Sequence, residues 1–176
     1  MTPPDSKPAP DPETLEYIQA VFDLVRGGDA PRLADLLSRG LPANLLNQKG
    51  DSLLMLASYH GHLEAARALL THGADPELRN DQGQSPLQAA AFRGDAAMVE
   101  LLLSRGAAVE GAGADGRTPL MMAAMFNRTE IARLLLAHGA DWNARDAGGL
   151  TALDSARVMH AVDTSALLEG LEQGDG

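Results

Sequence analysis

No cysteine occurs in the 176 residues, so disulfides, thiolate metal sites and a cysteine nucleophile are excluded. Aromatic residues make up only 3% of the chain, a scarcity that is no obstacle if the core is shared out between stacked units. Long apolar runs are missing too: no stretch approaches the about 18 residues of a membrane span. The opening MTPPDSKPAPDP contains no apolar signal core. A cytoplasmic location is therefore expected, or a periplasmic one if a signal segment was removed ahead of this chain. Lysine is nearly absent, with Lys7 and Lys49 the only two among 14 basic residues. That Arg-over-Lys bias, with abundant Ala, Gly and Leu, fits a GC-rich bacterial genome. Positive charge is in deficit overall, and a net charge of −10 argues against nucleic acid or anionic membranes as partners, since phosphates reward Lys and Arg. An acidic surface of this kind serves solubility.

What the chain does have is a period. Gly50, Gly83, Gly116 and Gly149 fall 33 residues apart, and each opens a segment that repeats the previous one nearly position for position. A hydroxyl at Ser52, Ser85, Thr118 and Thr151 suits a helix N-cap, and Pro86 and Pro119 suit the first helical position. Small residues at Ala57, Ala90, Ala123 and Ala156 let helices approach closely, and Leu54, Leu87, Leu120 and Leu153 fill the space between copies. A second column, Leu36, Leu69, Leu102, Leu135 and Leu168, carries the register one unit upstream of Gly50. Gly40, Gly73, Gly106 and Gly139 stand where the second helix of each unit must stop.

These residues resemble the ankyrin repeat family. The motif G-x-[ST]-P-L-x-x-A, a G-H-like turn, an LL pair and G-A-D-x-N appear most fully as GRTPLMMA and LLLAHGADWN between Gly116 and Asn143. The family's T-P-L-H histidine is replaced by Met55, Gln88, Met121 and Asp154, which removes a local hydrogen bond from the family pattern. The fold the resemblance implies is all-α, an ankyrin-repeat α-solenoid of about five helix pairs with β-hairpin-like finger loops near 43–51, 76–84, 109–117 and 142–150. One repeat domain over 12–173 is expected, with an N-terminal cap unit at 12–49, repeats at 50–82, 83–115 and 116–148, and a C-terminal cap unit at 149–173. Mobile segments are expected at 1–11, rich in Pro and charge, and at 174–176. Asp11 reads as the N-cap of a first helix with Pro12 in its first turn, and Leu15, Ile18, Phe22 and Val25 mark its apolar face. The third finger, VEGAGADGR, holds three glycines and is expected to be the most flexible.

Catalytic and metal-binding constellations are absent from the sequence. His60, His62, His72, His138 and His160 form no H-E-x-x-H or other close ligand spacing. His72 and His138 share one column before a helix-ending glycine, where a donor meets exposed carbonyls. GAGADG lacks the Lys-Ser/Thr pair of a phosphate loop. No cofactor is expected.

The columns that vary carry the functional reading. In the family, the first helices and the fingers line a concave groove. The last exposed first-helix positions are Tyr59 and His60, Phe92 and Arg93, Met125 and Phe126, Val158 and Met159. Large apolar side chains in contiguous solvent-facing columns mark a binding surface, and aromatic, Met and Arg residues are enriched at interface centres. The competing reading tucks Phe92, Met125 and Met159 between helices as core. Variable finger-tip positions are Lys49, Asp51, Asp81, Gln82, Gln84, Asp115, Arg117 and Leu150. Trp142, directly after G-A-D, is expected to pack against a neighbouring finger. The resemblance implies a non-catalytic, monomeric adaptor for another protein. It extends to short bacterial ankyrin proteins encoded beside catalases, which makes a catalase or other stress enzyme a candidate partner. A secreted host-directed effector is an alternative, and a small hydrolase is the alternative from another class.

Overall fold

The computed structural model describes residues 9–174. Ten helices follow one another: α1 (Pro12–Gly27), α2 (Ala30–Ser38), α3 (Leu53–His60), α4 (Leu63–Thr71), α5 (Pro86–Arg93), α6 (Ala96–Ser104), α7 (Pro119–Met125), α8 (Thr129–Ala137), α9 (Ala152–Val158) and α10 (Val162–Gly174). They form five helix pairs. First helices stack in the order α1, α3, α5, α7, α9, and second helices in the order α2, α4, α6, α8, α10. Of the segments expected at the ends, residues 1–8 and 175–176 lie outside the described residues, while Asp11 caps α1 and Gly174 ends α10.

Each start is specified locally. The hydroxyl oxygens of Ser52, Ser85, Thr118 and Thr151 accept bonds from the backbone N–H groups of Met55, Gln88, Met121 and Asp154, at 3.0, 3.3, 3.3 and 3.2 Å. Such bonds satisfy donors that the first turn leaves without a partner. The residues replacing the family histidine divide into two kinds. The side chains of Gln88 and Asp154 reach back to the backbone N–H groups of Ser85 and Thr151 and complete capping boxes. Gln88 also donates to the Arg117 carbonyl of the next unit at 2.7 Å. Met55 and Met121 are buried and contribute packing instead.

The core is a ladder, not a centre. Ala57, Ala90, Ala123 and Ala156 are all at 0% exposure, and Leu54, Leu87, Leu120 and Leu153 are at 2% or less. Leu69, Leu102, Leu135 and Leu168 are fully buried, whereas Leu36 is only half-buried, with no unit stacked upstream of it among the described residues. The end units are also less polar outside than caps should be. Leu15 and Tyr17 of α1, and Val158, Met159 and Val162 around the last turn, are exposed.

The fingers close as hairpin turns, and only the first adds a β-bridge, Leu46 to Ser52. In the first, second and fourth, the side-chain oxygen of Asn47, Asn80 or Asp146 accepts two backbone N–H bonds across the turn. The third has Gly113 at that position and lacks this brace, keeping a single side-chain bond from Arg117 N–H to Asp115 Oδ1 at 3.0 Å. Fingers are tied along the stack by Asp81 N–H to the Lys49 carbonyl and Ala147 N–H to the Asp115 carbonyl. Trp142 is half-buried and packs against the core cluster.

Candidate functional site

The turn from first to second helix positions the site. Gly61 and Gly94 adopt φ of 75° and 82°, a region that costs most side chains strain. The glycines also leave room: a Cβ on Gly61 would strike the Arg93 guanidinium, and one on Gly94 the Arg128 side chain. Those side chains come from the next unit and cap the preceding first helix. Arg93 Nη1 donates to the Tyr59 carbonyl at 3.2 Å, and Arg128 Nε to the Phe92 carbonyl at 3.0 Å. His62 occupies the same place over Gly28, with its Nε2 2.8 Å from the Arg26 carbonyl. Helix-end carbonyls carry partial negative charge, so cations and ring N–H donors are well placed there.

Anchored in this way, the ends of α1, α3, α5 and α7 form one wall of a concave groove of about 1040 Å³, and the fingers form the other. Along its floor, the rings of Tyr59 and Phe92 lie 6.2 Å apart with planes 5° from parallel, and those of Phe92 and Phe126 meet edge to face at 4.6 Å. His60 adds an edge contact to Tyr59 at 5.3 Å and stacks on His62 at 6.0 Å. Met122 and Met125 complete the apolar floor. Tyr59 is 50% exposed, Phe92, Met125 and Phe126 are half-buried, and none of the four belongs to the apolar core.

The ladder stops at Phe126. Val158 and Met159 are 66% and 47% exposed but do not line the groove. Helices α7 and α9 are one residue shorter than α3 and α5, and among the described residues no sixth unit closes over α9. Of the finger-tip positions, Lys49, Asp51, Asp81, Gln82, Gln84 and Arg117 line the groove, while Asp115 and Leu150 do not. Arg93 also falls outside the lining, its guanidinium committed to the end of α3.

Sequence reasoning missed the groove's amides. Gln19, Asn47, Gln48, Asn80 and Gln88 line it beside Gln82 and Gln84, so seven of the chain's eleven Asn and Gln residues gather there. Asn47 and Asn80 share a column, but the others are scattered over three units in unrelated columns, so the period did not expose the cluster. Arg26 stands one period before Tyr59 and enters through the same column, whereas Gln19 enters because α1, 16 residues long, begins well before the point at which α3 begins in its own unit.

Electrostatically the groove departs from the rest of the molecule. Its ionisable lining is Arg26, Lys49, Arg117 and His60 against Asp51 and Asp81, in a chain of net charge −10. Burial, then the charges of His62, Arg26 and Arg93, hold the His60 imidazole below its usual range. His72 and His138 serve their helix ends, with Nδ1 2.8 and 2.9 Å from the carbonyls of Ala68 and Leu134. Among the described residues, no three His, Cys, Asp or Glu side chains converge as a metal site would require. No helix among them is long and apolar enough to cross a membrane.

Comparison with known proteins agrees with this architecture. A family model of ankyrin repeats in three copies matches residues 21–112, and a second ankyrin-repeat model matches residues 102–156. The chain belongs to the ankyrin repeat family. It is similar to an ankyrin repeat protein of Pseudomonas aeruginosa, 62% identical over 61 residues, which cover 35% of this chain and 36% of the relative. The match thus spans about a third of that relative's length. Repeats of this family are in general protein-interaction modules and not enzymes.

Proposed function

We propose that the protein is a non-catalytic adaptor that binds another protein through the groove between its first helices and fingers. The observation that carries this reading is the ladder Tyr59–Phe92–Phe126: three of the chain's six aromatic residues lie in one contiguous strip, outside the core, on the floor of one concave groove. A contiguous exposed apolar strip is uncommon on a monomer without a partner. Because the groove is preformed by stacked helices, binding orders little backbone, and a small patch suffices for useful affinity. The protein acts as a monomer at low micromolar concentration, which light scattering checks. Support of a catalase or another stress enzyme is one form of this role, and stoichiometric co-purification with such an enzyme is its test.

The decisive experiment separates binding from folding. Changing Phe92 and Phe126 together to Ser should cost little stability and weaken binding to a captured partner by more than about 2 kcal/mol. Glu64→Ser with Arg67→Ser, which removes an exposed ion pair of 3.5 Å on α4, should leave binding intact. Thermal melting beside titration calorimetry reads both. Loss of the fold in the Phe variant would return the rings to the core; normal melting with undiminished binding would move the partner to another face.

A further inference from the structure

The shape and chemistry of the groove specify the kind of segment it takes, an inference that rests on the adaptor reading above. The lining runs from α1 to Phe126 across four units, hence three helix spacings of about 10 Å each. A single extended chain, rising about 3.3 Å per residue, fits along the floor with about nine residues.

The free polar groups match the same occupant. Asn47, Asn80 and Gln88 spend their amides on the fingers and caps. The side chains of Gln48 and Gln82 make no hydrogen bond among the described residues, and Gln84 uses only its oxygen. A primary amide offers a donor and an acceptor together, the same pair that each residue of an extended backbone presents and that a helix has already satisfied internally.

Charge sets the polarity of the occupant. Arg26 is paired with Asp23 at 2.7 Å, and Arg117 lies 3.4 Å from Asp115 and 3.8 Å from Asp146. Both carboxylate oxygens of Asp51 accept from Asn47 and Asn80. Asp81 is folded over Gly50 of the neighbouring finger. Lys49, the single lysine among the described residues, is exposed at its finger tip and takes part in none of the seven ion pairs.

We propose that the groove binds an extended peptide segment of about nine residues, with apolar side chains on the Tyr59–Phe92–Phe126 ladder and an Asp or Glu opposite Lys49. The probe is a phage-displayed library of random linear twelve-residue peptides, followed by synthetic versions of the enriched sequences in fluorescence polarisation. Enriched peptides should combine spaced apolar residues with at least one carboxylate. Their affinity should fall about tenfold or more for Lys49→Glu and for Phe92→Ser, and less for Lys49→Gln. Replacing the peptide's acidic residue by Lys should restore binding to the Lys49→Glu protein, and all variants should melt close to the parent. Failure to enrich linear peptides, a gain of helical circular dichroism on binding, or indifference to Lys49→Glu would overturn the proposal. A folded partner that depends on Phe92 and Phe126 while the library yields nothing would overturn this inference alone. A partner indifferent to both rings would sink the adaptor reading beneath it.

Discussion

The second and third units turn between their helices on Gly61 and Gly94, the fourth and fifth on Asn127 and His160, and all four residues have positive φ, at 75°, 82°, 55° and 56°. One backbone demand is met in two ways. Where glycine serves, the empty space beside it receives Arg93 or Arg128 from the next unit, and that cation caps the helix that ends in Tyr59 or Phe92. Where Asn127 serves, its own side chain does the bonding. Its oxygen accepts from the backbone N–H groups of Asp163 and Thr164, both at 3.0 Å, and so caps α10. The cations cap the helix ends that carry the first two rings of the aromatic ladder, and its last ring, Phe126, stands directly before Asn127. The same period therefore builds a groove in one half of the molecule and a terminal clasp in the other.

The largest effect should come from what the two halves share. Ala123, at 0% exposure, belongs to the column that lets helices approach, so Ala123→Leu should cost about 1–3 kcal/mol by overpacking. An unchanged denaturation midpoint would mean that the shared register does not hold the stack. Next in size is the clasp. Asn127→Ala removes the cap of α10 and leaves Ala in a left-handed turn, for a loss of about 1–2 kcal/mol. Hydrogen exchange should then accelerate in α10 before α3, and uniform acceleration would show that the two halves unfold as one.

A smaller change sharpens the groove half. The Ser58 hydroxyl is fully buried without a hydrogen-bond partner, where the following copies carry Ala91 and Ala124. Ser58→Ala should raise stability by about 1 kcal/mol; a loss in chemical denaturation would mean that the hydroxyl is satisfied.

The smallest expected effect is the response to acid, which treats the halves differently. His60 in the groove has its imidazole held below the usual range by burial. The unfolded chain therefore takes up its proton first, and this contribution is present above about pH 6.5 and lost as pH falls through the lower folded value. Asp154 in the terminal half is lowered by hydrogen bonds from the backbone and side chain of Thr151. Its contribution is present above about pH 3.9 and lost as pH falls further. Chemical-shift titration should show the groove half responding first, and the reverse order would contradict these assignments.

Much of this molecule was legible as a string of residues. Hydroxyl, proline, alanine, leucine and glycine columns at one fixed spacing are local requirements of helix starts, close approach and helix ends, and local requirements repeat visibly. The ladder of Tyr59, Phe92 and Phe126 was legible for the same reason, since its members occupy neighbouring columns at helix ends. The amide cluster was not, because Gln19, Gln48, Gln82 and Gln88 hold unrelated positions in their units and converge only when helices and fingers are stacked. Nor was the end of the groove: Val158 and Met159 share columns with groove residues, yet among the described residues no later unit covers α9. By itself the sequence determined the repeat, the caps and the inter-helix contacts, because each depends on neighbours a fixed distance along the chain. Tertiary structure alone decided which variable side chains face one another, because that depends on how far each helix extends, what its neighbour lays across its end, and where the stack stops.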